Sequence, residues 1–136
     1  MTSILAIEGI GPKYRKKLLA AGIRTCEKLL DAGAARRGRK QLADNCDISD
    51  KVVLEWVNRA DLMRIKGVST QYSDLLEAAG VDSIKELCRR KPSNLHKAML
   101  SHNSLRRHQL VRQAPGLAQV EKWVTQAKAL QPIVKR

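Results

Sequence analysis

The sequence predicts an all-α protein of about ten short helices, arranged in two pseudo-symmetric halves that pack as one domain. Its 136 residues are enough to bury a core, and the absence of Phe means that Leu, Ile, Val and Ala must build that core. Apolar residues recur at helical spacing from Pro12 onward, and the same segment occurs a second time in the chain. These observations together favour small packed helices.

The first segment contains a glycine turn followed by a helix. In Gly9-Ile10-Gly11, two glycines flank one apolar residue, and each lets the backbone take a positive φ or approach another surface closely. Pro12 suits the first position of a helix, and Gly22 suits the residue that ends it. The apolar stretch just before the turn is typical of a helix end. The segment therefore predicts a helix, a glycine turn and a second helix.

This pattern resembles the helix-hairpin-helix family, whose hairpin carries a glycine–hydrophobic–glycine sequence. The resemblance implies that the hairpin amides and the start of the second helix hold a nucleic-acid phosphate without reading bases. A helix start also suits an anion in its own right, because its N–H groups are unpaired and its dipole is positive there. Acidic residues are normally favoured in that first turn, yet cations follow here. They are Lys13, Arg15, Lys16 and Lys17.

The opening segment recurs 58 residues later, with seven identical residues in the aligned stretch. Trp56-Val57 also recurs as Trp123-Val124, at an offset of 67. The repeat predicts two halves, 1–60 and 61–136, each with a hairpin and trailing helices. We expect the repeated tryptophans to anchor the core, because they lie on apolar helical faces.

The second hairpin differs chemically from the first. Its turn consists of Gly67, Val68 and Ser69, so the second glycine of the pattern is missing. Asp74 and Glu77 stand where the first hairpin has Lys16 and Leu19. We therefore expect the first hairpin to bind phosphate, and the second to be structural or to contact a protein partner or a second copy of the chain.

A further basic run, Arg36-Arg37-Gly38-Arg39-Lys40, opens another predicted helix. Such a run is either a solvated helix face or a second phosphate contact, and the glycine within it would permit close backbone approach. The predicted nucleic-acid-binding set joins this run to the first hairpin. Its members are Gly9, Ile10, Gly11, Lys13, Arg15, Lys16, Lys17, Arg36, Arg37, Arg39 and Lys40.

The chain as a whole resembles a poorly characterised bacterial family of two-hairpin proteins of unknown function. The resemblance covers nearly every residue from Ile7 to Leu130. It is most specific in Ala60–Val68 and in Ala118–Val124. It implies the tandem helix-hairpin-helix fold but no established role.

The charge pattern favours a nucleic-acid partner, DNA in preference to RNA. The net charge is +13, and it is segregated along the chain. Asp61–Glu86 carries a net charge of −2, whereas Leu87–Arg136 has eleven Lys or Arg against one acid, a net charge of +10. Such a protein attracts polyanions. The alternative is a protein–protein interaction or dimerisation module on the same scaffold.

The sequence offers no sign of an enzyme, a cofactor or a metal site. No nucleophile elbow, phosphate-binding loop or dinucleotide fingerprint occurs. The three cysteines form no CxxC pair, which indicates reduced thiols in a cytoplasmic protein. No apolar run approaches the roughly 18 residues that span a bilayer, so no membrane partner is expected. The histidines are six residues apart, which fits no zinc motif: His96, His102 and His108.

Overall fold

The computed structural model describes residues 3–4, 7, 10–105, 111, 113–130 and 133–134. Within them the chain forms eight α-helices and no β-strand, which confirms the all-α class with fewer helices than the ten or so expected. The helices are α1 Pro12–Ala20, α2 Cys26–Gly33, α3 Arg36–Cys46, α4 Asp50–Leu62, α5 Thr70–Ala78, α6 Ile84–Leu87, α7 Pro92–Leu105 and α8 Leu117–Ala129. The pseudo-symmetric arrangement stays a prediction.

The chain divides into two compact units. The first unit consists of Met1–Asp61 with Ile133–Arg136, and the second of Leu62–Pro132. The first unit holds α1, α2, α3 and nearly all of α4, and the second holds α5 to α8. The predicted packing of the halves as one domain remains a prediction.

Side chains cap two of the helices. Thr25 accepts a hydrogen bond from the Lys28 N–H at 3.1 Å, and Ser83 accepts one from the Glu86 N–H at 3.2 Å. α7 begins at Pro92. Proline suits this position, since its fixed φ is helical and its missing N–H would have no partner there.

Gly22 ends α1 as predicted, with a positive φ of 84°. Its N–H donates to the Leu19 carbonyl at 3.0 Å, and the Ile23 N–H donates to the Leu18 carbonyl at 2.9 Å. These two bonds satisfy carbonyls that the helix end leaves open. Gly80, with a φ of 93°, ends α5 through the same pair of bonds.

The helix predicted ahead of the glycine turn is absent from the described residues. The Ile7 N–H donates to the Ile4 carbonyl at 3.1 Å, and the Ile10 N–H donates to the Ile7 carbonyl at 3.2 Å, which are single tight turns. Ser3 forms an isolated antiparallel bridge with Thr25. Ile4, Ile7 and Ile10 are completely buried, and Leu5 and Ala6 of the predicted helix end lie outside the described residues.

Each unit packs a tryptophan against the tyrosine of its own hairpin. The Tyr14 and Trp56 ring centroids are 5.7 Å apart in the first unit, and the Tyr72 and Trp123 centroids are 5.3 Å apart in the second. Both pairs are tilted, as aromatic rings prefer. Trp56 is 3% exposed and Trp123 is 1% exposed, so the prediction that they anchor the core is confirmed.

Two glycines let α2, α3 and α4 approach one another closely. A Cβ atom at Gly38 would overlap the carbonyl oxygen of Ala32 in α2. A Cβ atom at Gly33 would overlap the side chain of Val57 in α4. The glycine within the basic run therefore serves internal packing, and not the close approach of a nucleic acid that the sequence suggested.

Candidate nucleic-acid interface

The repeated helices α1 and α5 begin differently. α1 starts after Gly11, which offers no side chain to accept a bond from the first amides, and its first turn holds no acidic residue. α5 starts after Ser69, whose Oγ accepts a hydrogen bond from the Tyr72 N–H at 3.3 Å. At the start of α1, Pro12 has no N–H and the Tyr14 N–H donates to the Gly11 carbonyl at 3.1 Å, so among the described residues the Lys13 N–H of the first turn remains open to an external acceptor. At the start of α5, the Ser69 side chain occupies the position that such an acceptor would take. Gly9 lies outside the described residues.

Lys13 and Lys16 stand exposed around this open helix start. The Lys13 ammonium nitrogen lies 5.9 Å from the centroid of the Tyr14 ring, within reach of a cation–π contact. Neither lysine forms an ion pair with an acidic residue in the part of the chain that the structure describes. Both ammonium groups are thus available to an anion.

Arg15 and Lys17 are more deeply placed. Arg15 is half-buried, and its Nε atom is buried with no hydrogen-bond partner among the described residues. Lys17 is half-buried, and its ammonium donates to the Cys46 carbonyl at 3.1 Å. That carbonyl lies at the C-terminus of α3, where a cation is favourable. Lys17 therefore ties α1 to α3, and its predicted contact with phosphate has a structural competitor.

A second cationic surface lies between the start of α3 and the start of α4. It is a depression of about 650 Å³, which we call the α3–α4 groove. Its lining contains the cations of the predicted basic run and three residues of α4 that the sequence did not indicate. The lining residues are Arg36, Arg37, Arg39, Lys40, Asp50, Lys51 and Leu54. The sequence carried no signal for the α4 residues, because the tertiary fold decides which side chains of α4 line the groove.

The exposed cations of the α3–α4 groove have no acidic partner in the part of the chain that the structure describes. Arg36, Arg37, Lys40 and Lys51 are exposed, and within the described ranges none of them forms an ion pair. Asp50 lies in the same lining and is exposed, yet no cation of the groove pairs with it. The groove therefore keeps an excess positive charge for a ligand.

Arg39 is the most deeply buried cation of the predicted set. It is 4% exposed, and its Nη1 donates to the Gly33 carbonyl at 2.9 Å and to the Ala34 carbonyl at 3.1 Å. Its guanidinium thus satisfies the carbonyls that the end of α2 leaves open. The predicted contact of Arg39 with phosphate therefore has a structural competitor, and it stays a prediction.

The buried thiols of the first unit, Cys26 and Cys46, have raised pKa values. The Cys26 Sγ donates to the Ser3 carbonyl at 3.5 Å, and burial, with a smaller contribution from Glu27, raises the pKa of this thiol to about 11. Burial also raises the pKa of Cys46, against a lowering by Lys17. Since the thiolate is the reactive form, neither group is poised as a nucleophile near neutral pH.

Residues 3–4, 7, 10–105, 111, 113–130 and 133–134 hold no group of three or more His, Cys, Asp or Glu that could coordinate a metal ion. The same residues contain no helix that combines the length and the apolar character needed to cross a membrane.

A family model matches residues 8–130, and its description is Domain of unknown function (DUF4332). The chain belongs to this family. No curated protein and no solved structure matches the chain. The DUF4332 match covers α1 to α8 and both cationic surfaces, but its description carries no activity.

Proposed function

We propose that this DUF4332 protein binds nucleic acid, DNA in preference to RNA, through the phosphate backbone and without reading base sequence. The observation that carries the proposal is the contrast between the two hairpin helices. α1 has an open N-terminus with Lys13 and Lys16 unpaired beside it, whereas α5 has a serine cap and a carboxylate, Asp74, at the position equivalent to Lys16. An anion at the start of α1 would explain cations that the helix dipole disfavours there.

The start of α1 would hold one backbone phosphate. The Lys13 N–H would donate to a phosphate oxygen, and the ammonium groups of Lys13 and Lys16 would add charge. Contacts of this kind orient a protein on nucleic acid but carry no sequence information. We interpret the segment as the hairpin of a helix-hairpin-helix module, in agreement with its glycine–hydrophobic–glycine sequence.

The α3–α4 groove would hold further phosphates of the same strand. Arg36 and Arg37 can each form two parallel hydrogen bonds with phosphate oxygens, while Lys40 and Lys51 act as point charges. The methyl groups of the half-buried Leu54 offer an apolar contact to a sugar. Two cationic surfaces in one unit suit an extended polyanion better than a single small anion.

Fluorescence anisotropy with random-sequence DNA, duplex and single-stranded, tests the proposal at two salt concentrations. The variant is Lys13→Glu/Lys16→Glu, and the matched control is Arg24→Glu/Lys28→Glu, which changes the charge equally at exposed positions of the same unit. Each lost phosphate contact should weaken duplex binding about 15-fold at about 50 mM salt and about 4-fold at about 200 mM. The variant should therefore lose binding about 200-fold and about 20-fold, with a salt slope flatter by about 1.8.

Equal binding by the variant and by the wild type would remove the start of α1 from the interface. No binding by the wild type at low salt would end the nucleic-acid proposal. Light scattering on the same samples would then test the protein-interaction alternative, in which the second hairpin, Gly67 to Ser69, contacts a partner or a second copy. A dimer that does not bind DNA would favour that alternative.

The cytoplasm is the proposed location. Cys26, Cys46 and Cys88 are free thiols, and the first two are buried. Thiols persist in a reducing compartment such as the cytoplasm. Fractionation of cells that express a tagged chain, followed by detection of the tag, would test the location, and a secreted product would contradict it.

A further inference from the structure

The second unit has a depression of its own beside the turn of its hairpin. Its volume is about 610 Å³, and we call it the α8 groove. Two lysines, two glutamines and the edge of the core tryptophan form its wall, and its lining contains no acidic side chain. The lining residues are Lys66, Gly116, Ala118, Gln119, Lys122, Trp123 and Gln126.

Both lysines of the α8 groove are free to meet a ligand. Lys66 and Lys122 are exposed, and neither pairs with an acidic group within the described ranges. The backbone under Lys66 is held firmly, because its N–H donates to Gln126 Oε1 at 3.0 Å and its carbonyl accepts from Gln126 Nε2 at 3.3 Å. The turn and α8 therefore fix the backbone positions from which Lys66 and Lys122 project. This lowers the entropy cost of ordering the two side chains around a ligand.

The internal repeat shows that these lysines are specific to the second half. Lys66 aligns with Glu8 of the first half at the offset of 58, and Lys122 aligns with Glu55 at the offset of 67. The charge is reversed at both positions. The opposite holds around α1, where Lys16 aligns with Asp74. Each half thus concentrates cations at a different place, which a uniformly basic surface would not do.

We propose that the α8 groove binds a phosphate group of the nucleic-acid backbone and gives the second unit a contact of its own. The inference rests on the proposed function and extends it to a site outside the first unit. Lys66 and Lys122 supply the charge, and the half-buried Gln119 amide supplies a hydrogen-bond donor. The amides at the start of α8 add donors, since Gly116 provides no side-chain cap.

The burial of Trp123 favours phosphate over base as the ligand. A base would bind by stacking on an exposed ring face, as single-strand binding proteins do. Trp123 is 1% exposed and packs on Tyr72, so its ring faces are occupied. The remaining chemistry of the groove is cationic and amide, which matches phosphate oxygens.

The test replaces both lysines with the residues that the first half carries, in Lys66→Glu/Lys122→Glu. The control Lys85→Glu/Lys97→Glu makes the same charge change at exposed positions of the same unit, outside the groove. With random-sequence duplex DNA, the loss of two contacts should weaken binding about 200-fold at about 50 mM salt and about 20-fold at about 200 mM. The control should lose far less, because distant surface charges are screened.

Each outcome separates this site from the proposed function. If the wild type binds DNA and the groove variant matches the control in affinity and salt slope, the α8 groove is not a phosphate site, and the start of α1 stands. If the wild type does not bind at low salt, both proposals fail. The milder Lys66→Gln/Lys122→Gln variant, with an unchanged circular dichroism spectrum and melting temperature, should still flatten the salt slope. A wild-type slope in that variant would overturn the proposal.

Discussion

Methionine in place of Arg39 is expected to weaken folding and to leave nucleic-acid binding nearly unchanged. Methionine keeps the unbranched aliphatic stem, which packs beside Gly33, but it removes the guanidinium. The carbonyls of Gly33 and Ala34 then lose their donors at the end of α2. The side chain is 4% exposed, so little water can replace the lost bonds.

The free energy of unfolding should fall by about 2–4 kcal/mol. Hydrogen bonds from a charged donor contribute about 1.5–3 kcal/mol each, and two are lost. Removing the cation also relieves its desolvation cost, which offsets part of that loss. Urea denaturation followed by circular dichroism measures the change. In a thermal melt, the same loss corresponds to a melting temperature lower by about 10 °C.

Arg37→Met is the matched control, two residues away in the same basic run. Arg37 is exposed, so its replacement should change the free energy of unfolding by no more than about 0.5 kcal/mol. It should instead weaken duplex DNA binding about 15-fold at about 50 mM salt. The reasoning is refuted if Arg39→Met keeps full stability while it loses DNA affinity, because Arg39 would then be a phosphate contact after all.

Three further predictions follow from particular contacts. Gly38→Ala should lower the free energy of unfolding, measured in urea, by about 2 kcal/mol or more. The new Cβ atom overlaps the Ala32 carbonyl, and this overlap outweighs the better helix propensity of alanine. In the control Gly116→Ala the new Cβ atom meets open space, so the free energy of unfolding should change by about 0.5 kcal/mol or less. Gly11→Ser fits the φ of −73° and should cap α1, raising stability by about 0.5 kcal/mol while DNA affinity falls with an unchanged salt slope. The pKa of Cys26 in the folded protein is about 11, against an ordinary value of 9.0, so the folded state holds this proton more tightly. The stabilisation that the protonated Cys26 thiol provides is complete below pH 9 and is lost as the pH rises toward 11. The melting temperatures of the wild type and of Cys26→Ala should therefore converge over that pH range. A constant difference between the two melting temperatures would contradict the buried thiol.

The sequence alone was sufficient for the boundaries of α1. Pro12 begins this helix and Gly22 ends it as predicted, because these signals act within four or five residues of the helix end. The burial of the tryptophans was also predictable, since helical periodicity determines which face is apolar. Such local features need no knowledge of how the helices pack.

Tertiary structure decided which cations are available to a ligand. Arg37 and Arg39 are two residues apart in one basic run, yet the first is exposed and the second is buried against the end of α2. Lys17 contacts a carbonyl 29 residues away, and Lys51 enters the α3–α4 groove from another helix. Periodicity gives the direction of a side chain from its own helix, but its partner depends on how separate helices pack, and no short stretch of sequence encodes that.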